Sequence, residues 1–261
     1  MKLNIMRKAK RPPLVVSEER GVRHLHVGGE AIQSAMRLED PFALELDYTR
    51  CMMAFLLFHP APRRALMIGL GGGSLAKFFH RRLDGMRTRV VECDERVIAA
   101  ARSLFHVPAD DARLTVEHGD GVEALAPECC DLLVVDGFED EAASPALVRQ
   151  AFFDAAAHAL ETPGAFVMNL MDDDRELDRH LRRIERAFGG AVLAFKALRD
   201  PNNVVLALKG APREIAWREL RGRAAALERK YGLPFTRMVE RLRAMNRWSA
   251  QALRIAPDEA G

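Results

Sequence analysis

Apolar segments alternate with amphipathic segments through the middle of the chain. Short continuous apolar runs such as RALMIG and DLLVVDGF predict strands that are buried on both faces. Segments such as GSLAKFFHRR, ERVIAAARSLF and DRELDRHLRRIERAF place apolar residues three and four apart, which predicts helices. Because strands and helices alternate, the pattern predicts an α/β fold with a mostly parallel sheet covered by helices on both faces.

Turn residues predict the elements at the two ends of this series. Gly21 and Gly28 separate short extended segments, which predicts a small β-hairpin region before the main domain. The segments AVLAFKAL and NNVVLALKG, separated by RDPN, predict an antiparallel hairpin at one edge of the sheet. We also expect an apolar helix over residues 42–58 and a short helix in the segment GVEALAP.

Composition divides the chain into four predicted segments. We expect a basic arm without order over residues 1–13, the hairpin region over 14–40, the main domain over 41–210 and a helical extension over 211–261. Residues 213–254 hold eleven Arg or Lys against four Glu, with a break at YGLP. This segment predicts two basic amphipathic helices that pack on the main domain, because no nucleic-acid-reading motif accompanies the charge.

Bulk composition indicates a cytoplasmic protein, and we expect neither a metal nor a permanently bound cofactor. The formal net charge of the 261-residue chain is +2, which favours neither a nucleic acid nor a membrane as partner. The basic start has no apolar run behind it, and the run CMMAFLLF is too short to span a bilayer. The four cysteines form no CxxC pair and are expected to be reduced: Cys51, Cys93, Cys129 and Cys130.

A glycine-rich loop follows the first strand of the main domain. Gly69, Gly71 and Gly73 have the spacing G-x-G-x-G, and a helix begins directly after them. Glycine permits positive φ and a close approach of a ligand, but tight packing of strand on helix explains it equally well. A dinucleotide-binding loop requires G-x-G-x-x-G, and Ser74 stands at its last position. The other interpretation is a pocket for an adenosyl sulfonium compound.

Acidic residues follow three successive predicted strands. These are Glu92, Asp120 and Asp136. Ligands of open α/β sheets bind at the carboxyl ends of the strands. A carboxylate at Glu92 can accept hydrogen bonds from ribose hydroxyls, and one at Asp120 can accept from an adenine amino group. Asp120 also precedes a predicted helix, so an N-cap is the alternative interpretation of this residue, and we favour the ligand interpretation.

In these motifs the sequence resembles the spermidine synthase (polyamine aminopropyltransferase) family from about Leu14 to Lys209. The motifs are VGGEAIQS, LMIGLGGGSL, VVECDERV, HGDG and LLVVDGFED. The resemblance implies a class I methyltransferase-like (Rossmann-like) sheet with an antiparallel edge hairpin, an N-terminal β-hairpin region and C-terminal helices. It also implies decarboxylated S-adenosylmethionine as co-substrate, a diamine such as putrescine as acceptor, and a homo-oligomer of two or four copies.

The resemblance assigns roles to individual residues. Cofactor-binding positions are the glycine loop, Gln33 near the nucleoside, Glu92 on the ribose, and Asp120 with Gly121 on the adenine. Asp136 matches the first acid of the loop that holds and deprotonates the amine. The second acid falls on Glu139 or on Asp140 beside it. Tyr48 matches the tyrosine of a tyrosine–histidine pair on the amine side.

The sequence departs from the family pattern on the amine side. Gly72 stands where the family's glycine loop commonly has an aspartate, and Tyr48 lacks its histidine partner. A glycine loop without an acid is more compatible with a donor that keeps its carboxylate. Two alternatives therefore remain open: a methyltransferase that uses S-adenosylmethionine, and a nucleoside-binding relative without catalytic activity.

Overall fold

The computed structural model describes residues 12–139, 142–171 and 176–256, without the side chains of 138–139 and 142–143. The chain begins with a three-stranded antiparallel sheet formed by β1 (Leu14–Glu19), β2 (Val22–Val27) and β3 (Ser34–Arg37). The predicted hairpin is therefore present and has a third strand. Nearly all of the predicted basic arm lies outside the described residues.

The segment after this sheet is less helical than the sequence predicts. Helix α1 (Asp47–Met52) is followed directly by a 3-10 helix (Met53–Leu57). The prediction of one helix over 42–58 was wrong at its start, because the Asp40 carboxylate accepts the Phe42 N–H and holds a turn there.

The main part of the chain alternates strands and helices as predicted. The first half contains β4 (Arg64–Ile68), α2 (Ser74–Arg82), β5 (Arg87–Glu92), α3 (Glu95–Leu104), β6 (Leu114–His118) and β7 (Cys130–Val135). The second half contains β8 (Phe138–Glu139), β9 (Ala142–Ala143), α4 (Gln150–Ala159), β10 (Leu160–Met171), α5 (Leu177–Ala187), β11 (Val192–Lys196) and β12 (Asn202–Lys209).

Seven of these strands form one sheet in the order β11-β12-β10-β7-β4-β5-β6. The strands from β10 to β6 pair in parallel, whereas β12 is antiparallel to both β10 and β11. Apolar residues of α4 and α5 cover one face of the sheet, and those of α2, α3 and the C-terminal helices cover the other. The predicted class I methyltransferase-like sheet with an antiparallel edge hairpin is confirmed.

The C-terminal segment contains the two predicted helices. The helices are α6 (Trp217–Tyr231) and α7 (Phe235–Met245). A short antiparallel strand pair, which the sequence analysis missed, frames them: β13 (Glu214–Ala216) precedes α6 and β14 (Ala252–Arg254) follows α7. The break between α6 and α7 lies at Gly232, which adopts a left-handed conformation with φ of 70°. Helix α7 packs on the edge strand β11, where the Asn246 side chain bonds both backbone groups of Ala194.

The short helix expected in GVEALAP is not formed; residues 121–124 are turns. The Asp120 carboxylate accepts the Val122 N–H at 2.7 Å, as an N-cap does, but Pro127 follows too closely for a helix to continue. No helix within the described ranges is long and apolar enough to cross a lipid bilayer.

Candidate active site at the carboxyl edge of the sheet

The sheet order brings the predicted site residues to one edge. β4 lies in the middle of the sheet between β5 and β7, and β6 lies beyond β5. Because all four strands are parallel, the residues that follow them meet at the same edge. The glycine loop, Glu92, Asp120 and Asp136 follow these strands in turn.

Two glycines of the loop are required by the backbone. Gly69 has φ of 93°, and a Cβ atom there would lie 2.3 Å from the Asp136 backbone oxygen. Gly73 is the N-cap of α2 with φ of 69°, and a Cβ atom there would lie 2.3 Å from Val107. Glycine at position 69 lets the ends of β4 and β7 approach each other, and Gly73 lets the start of α2 approach the segment after α3, whether or not a ligand binds.

Glu92 links the glycine loop to the end of the next strand. One carboxylate oxygen accepts the Leu70 N–H at 2.8 Å, and the other accepts the Asp94 N–H at 3.0 Å. The side chain is buried. Charge-assisted hydrogen bonds of this kind fix the direction of a carboxylate, so Glu92 is held at the edge where the first two strands end.

Asp120 and Gly121 lie on the next part of the same edge. The Gly119 N–H bonds the backbone oxygen of Glu92 at 3.0 Å, which brings this loop beside Glu92. The Asp120 side chain is exposed, and one carboxylate oxygen accepts the Val122 N–H. A Cβ atom on Gly121 would lie 2.3 Å from Ile68, so the loop crosses close over the end of β4.

Asp136 is the centre of a polar cluster at the end of β7. Asn169 Nδ2 donates to Asp136 Oδ1 at 2.9 Å, and the Tyr48 hydroxyl lies 3.2 Å from Oδ2. Burial raises the pKa of the Asp136 carboxyl to about 6, while the two hydrogen bonds act in the opposite direction. The carboxylate is thus mostly ionised at neutral pH, with a pKa close enough to 7 for proton transfer.

Tyr48 connects this cluster to the N-terminal sheet. Its hydroxyl lies 3.3 Å from the backbone oxygen of Gln33, and its backbone N–H donates to Asp200 at 2.9 Å. The Gln33 side chain donates to the Val27 backbone oxygen at 3.2 Å. Burial, with Asp136 beside it, raises the pKa of Tyr48 well above its ordinary value. The phenol therefore stays protonated and serves as a donor.

The structure gives a steric reason for Gly72. A Cβ atom there would lie 2.7 Å from Ser34 Oγ and 2.8 Å from a ring carbon of Phe105. Ser34 belongs to β3, so the N-terminal sheet lies directly against the glycine loop. An acidic side chain at this position is incompatible with the observed packing.

The two acids expected after Asp136 lie where the described part of the chain is interrupted. Glu139 belongs to the short strand β8, and its side chain is outside the description. Asp140 lies outside the described residues altogether.

Sequence reasoning missed two residues on neighbouring strands that form a hydrogen-bond chain to Asp136. They are Asn169, near the end of β10, and Asn202, which opens β12. Asn202 Nδ2 donates to Asn169 Oδ1 at 3.0 Å. A polar residue near the end of the apolar run GAFVMNL was the available signal, because buried amides need partners.

Comparison with known proteins identifies related chains. The family model described as the spermine/spermidine synthase domain matches residues 45–187. The polyamine aminopropyltransferase of Chromobacterium violaceum is 36% identical over 246 residues, which cover 94% of each chain.

Two solved structures share the fold. A probable spermidine synthase from Corynebacterium glutamicum superposes with a TM-score of 0.69 at 20% identity and covers 85% of each chain. Human methyltransferase-like protein 13 in complex with SAH superposes with a TM-score of 0.64 at 26% identity. That alignment covers 72% of this chain and 93% of the human one.

Proposed function

Because the chain belongs to the spermine/spermidine synthase family, we propose that it is a polyamine aminopropyltransferase. It transfers the aminopropyl group of decarboxylated S-adenosylmethionine to an amine of a diamine such as putrescine. The observation that carries this proposal is the Asp136 carboxylate, held between Tyr48 and Asn169 at the edge of the sheet.

The proposed reaction is a direct displacement. The nitrogen of the acceptor amine attacks the aminopropyl carbon that is bonded to the sulfonium sulfur, and a new C–N bond forms as that C–S bond breaks. Methylthioadenosine leaves with the electron pair of the broken bond. Since a diamine is mostly protonated at neutral pH, the attacking nitrogen must lose a proton, and Asp136 is the group proposed to accept it.

The other acids at the carboxyl edge of the sheet are proposed to bind the nucleoside half of the donor. Glu92 is proposed to accept hydrogen bonds from the ribose, and Asp120 with Gly121 to contact the adenine. Gly69, Gly71 and Gly73 line the sulfonium side, and Gln33 lies near the nucleoside. The fixed direction of the Glu92 carboxylate supports its part in this arrangement.

The amine side is assigned to Tyr48 and Asp136, with Glu139 or Asp140 as the second acid. A diamine carries a second ammonium group, so a single carboxylate is insufficient to bind it and to accept a proton. Holding the amine in line with the C–S bond turns an encounter of two molecules into a reaction within one complex.

A methyltransferase activity with S-adenosylmethionine is the second candidate. One observation favours it: the glycine loop carries no acid, because Ser34 and Phe105 occupy the space beside Gly72. An uncharged loop with backbone N–H groups does not repel the carboxylate that this donor retains.

Two measurements test the proposal. Purified protein is mixed with decarboxylated S-adenosylmethionine and putrescine, and methylthioadenosine is quantified by chromatography. We expect turnover by the wild type, loss of turnover in Asp136→Ala and normal turnover in the control Asp178→Ala, which changes an exposed acid of α5. Calorimetry then compares the two donors, and we expect at least tenfold tighter binding of the decarboxylated one, about 1.4 kcal/mol.

The outcome that contradicts the proposal is equally defined. If the protein prefers the carboxylated donor and releases no methylthioadenosine with any diamine, it is not an aminopropyltransferase. Normal turnover in Asp136→Ala would instead remove Asp136 from the mechanism.

A further inference from the structure

Two buried asparagines lie where strands β10 and β12 meet the candidate site. Asn169 is 2% exposed and Asn202 is 7% exposed. The two strands are antiparallel, and Asn202 lies opposite Met171, two residues beyond Asn169. Burying an amide costs free energy unless its polar atoms find partners, so the partners of this pair indicate why it is here.

The two amides form a directed chain of hydrogen bonds that ends on Asp136. Asn202 Nδ2 donates to Asn169 Oδ1 at 3.0 Å, and Asn169 Nδ2 donates to Asp136 Oδ1 at 2.9 Å. Because Asn202 presents a donor to the oxygen of the Asn169 amide, the nitrogen of that amide must face Asp136. Asn202 thus stabilises the orientation of Asn169 that the ionised Asp136 carboxylate requires.

Resting on the proposed function, we infer that Asn169 and Asn202 are positioning residues for the transfer reaction. Asn169 holds the Asp136 carboxylate in the orientation that receives the acceptor amine. Asn202 acts through Asn169, by fixing its amide in the donating direction.

The other groups around Asp136 show why its hydrogen bond from Asn169 matters. Tyr48, from α1, contacts the other carboxylate oxygen, and Asp200, from the turn between β11 and β12, accepts the Tyr48 N–H. Among the described residues, burial and the two donors account for the behaviour of Asp136, and no cationic side chain contributes. Hydrogen bonds therefore keep this carboxylate ionised.

Each carboxylate oxygen has two acceptor sites. Asn169 and Tyr48 occupy one site on each oxygen of Asp136. The second sites can then accept N–H groups of the substrate. If Asn169 turned its oxygen toward Asp136, the carboxylate would face an acceptor and its charged form would be destabilised.

The experiment measures kcat/KM for putrescine against pH, with saturating donor, for four proteins. The variants are Asn169→Ala, Asn202→Ala and Asn203→Ala; the last is the matched control, because Asn203 is also buried in β12 but its side chain points to the opposite face. Asn202→Ala removes the donor to the Asn169 oxygen and adds no charge beside Asp136, so a displaced pKa reports the loss of that hydrogen bond.

We expect the acid limb of the wild-type profile near pH 6 and a limb about one pH unit higher in Asn169→Ala, since a hydrogen bond to a charged group is lost. That displacement lowers kcat/KM about fivefold at pH 6 and has little effect above pH 8.5. Asn202→Ala is expected to move the limb in the same direction but less far, because Asn169 keeps a nitrogen that can donate to Asp136. The control keeps the limb in place, whatever its stability.

Equal losses of kcat/KM at every pH in Asn169→Ala and Asn202→Ala, with the limb unmoved, would overturn the inference. A wild type without turnover would instead contradict the proposed function. In that case the Asp136 carboxyl is titrated directly by carbon-13 NMR in the wild type and in Asn202→Ala. An unchanged pKa there also overturns the inference, and a raised pKa supports the directed chain independently of turnover.

Discussion

Replacing Asp136 by asparagine should abolish aminopropyl transfer and, at pH 8, make the protein more stable. The variant cannot accept a proton from the amine, which accounts for the loss of turnover. The gain in stability follows from the environment of the carboxyl, since burial penalises its charged form and raises its pKa to about 6.

The surrounding hydrogen bonds can accommodate the amide. The oxygen of the new side chain accepts from Asn169, as Asp136 Oδ1 does now. Its nitrogen then faces the Tyr48 oxygen, and the Tyr48 proton turns to the backbone oxygen of Gln33, 3.3 Å away. One amide N–H and the Tyr48 O–H therefore keep acceptors, so the substitution removes a charge while the hydrogen bonds to Asn169 and Tyr48 are retained.

The size and sign of the effect follow from the pKa of Asp136 in the two states. It is about 6 in the folded protein, against 3.8 for an ordinary aspartate. Between these values the folded state holds more protons than the unfolded state, so the free energy of unfolding falls as the pH rises. Ionisation of Asp136 therefore lowers the free energy of unfolding by about 3 kcal/mol at pH 8 and by about 0.5 kcal/mol at pH 4.

Urea unfolding of the wild type and Asp136→Asn, followed by circular dichroism at pH 8 and pH 4, measures this difference. We expect the variant to be more stable by about 3 kcal/mol at pH 8, with most of the advantage lost at pH 4. Asp178→Asn, on the exposed side of α5, serves as the charge-matched control and should show no such change. A constant offset between pH 4 and pH 8, or a less stable variant at pH 8, would refute the reasoning.

Two further predictions concern the glycine loop and the helix behind it. Gly72→Asp should destabilise the protein by roughly 1–3 kcal/mol through contacts with Ser34 and Phe105, measured by thermal unfolding, and Ser34→Ala should restore part of the loss; an unchanged melting temperature would contradict the steric explanation. Lys77 is buried, with its pKa lowered to about 8 by burial, so the unfolded state holds more protons between pH 8 and 10.5. The wild type should therefore gain roughly 2 kcal/mol in unfolding free energy from pH 8 to pH 10, and Lys77→Met should not; equal gains would show that Lys77 is not the cause.

The sequence by itself determined the class of fold and the edge at which the site lies. Continuous apolar runs such as RALMIG and DLLVVDGF are buried on both faces only in a parallel sheet covered by helices, which is the observed arrangement. Residues that follow parallel strands meet at one edge, so Glu92 and Asp136 could be assigned to the same site from their positions along the chain.

Local features decided where the sequence analysis was wrong. The Asp40 carboxylate accepts the Phe42 N–H and holds a turn where apolar content predicted helix. Such a bond competes with helical ones within a few residues, and periodicity does not register it. After Asp120 the chain reaches Pro127 before a longer helix can form.

Only the tertiary structure decided how the Asp136 carboxylate is held. Asn169 and Asn202 are 33 residues apart and meet because β12 pairs antiparallel with β10. Tyr48 reaches Asp136 across 88 residues of sequence, and Ser34 excludes a side chain from Gly72 because the N-terminal sheet lies against the loop. The orientation and pKa of a carboxylate depend on its burial and on its hydrogen-bond donors. The distances between the carboxylate and these donors are set by packing rather than by spacing along the chain.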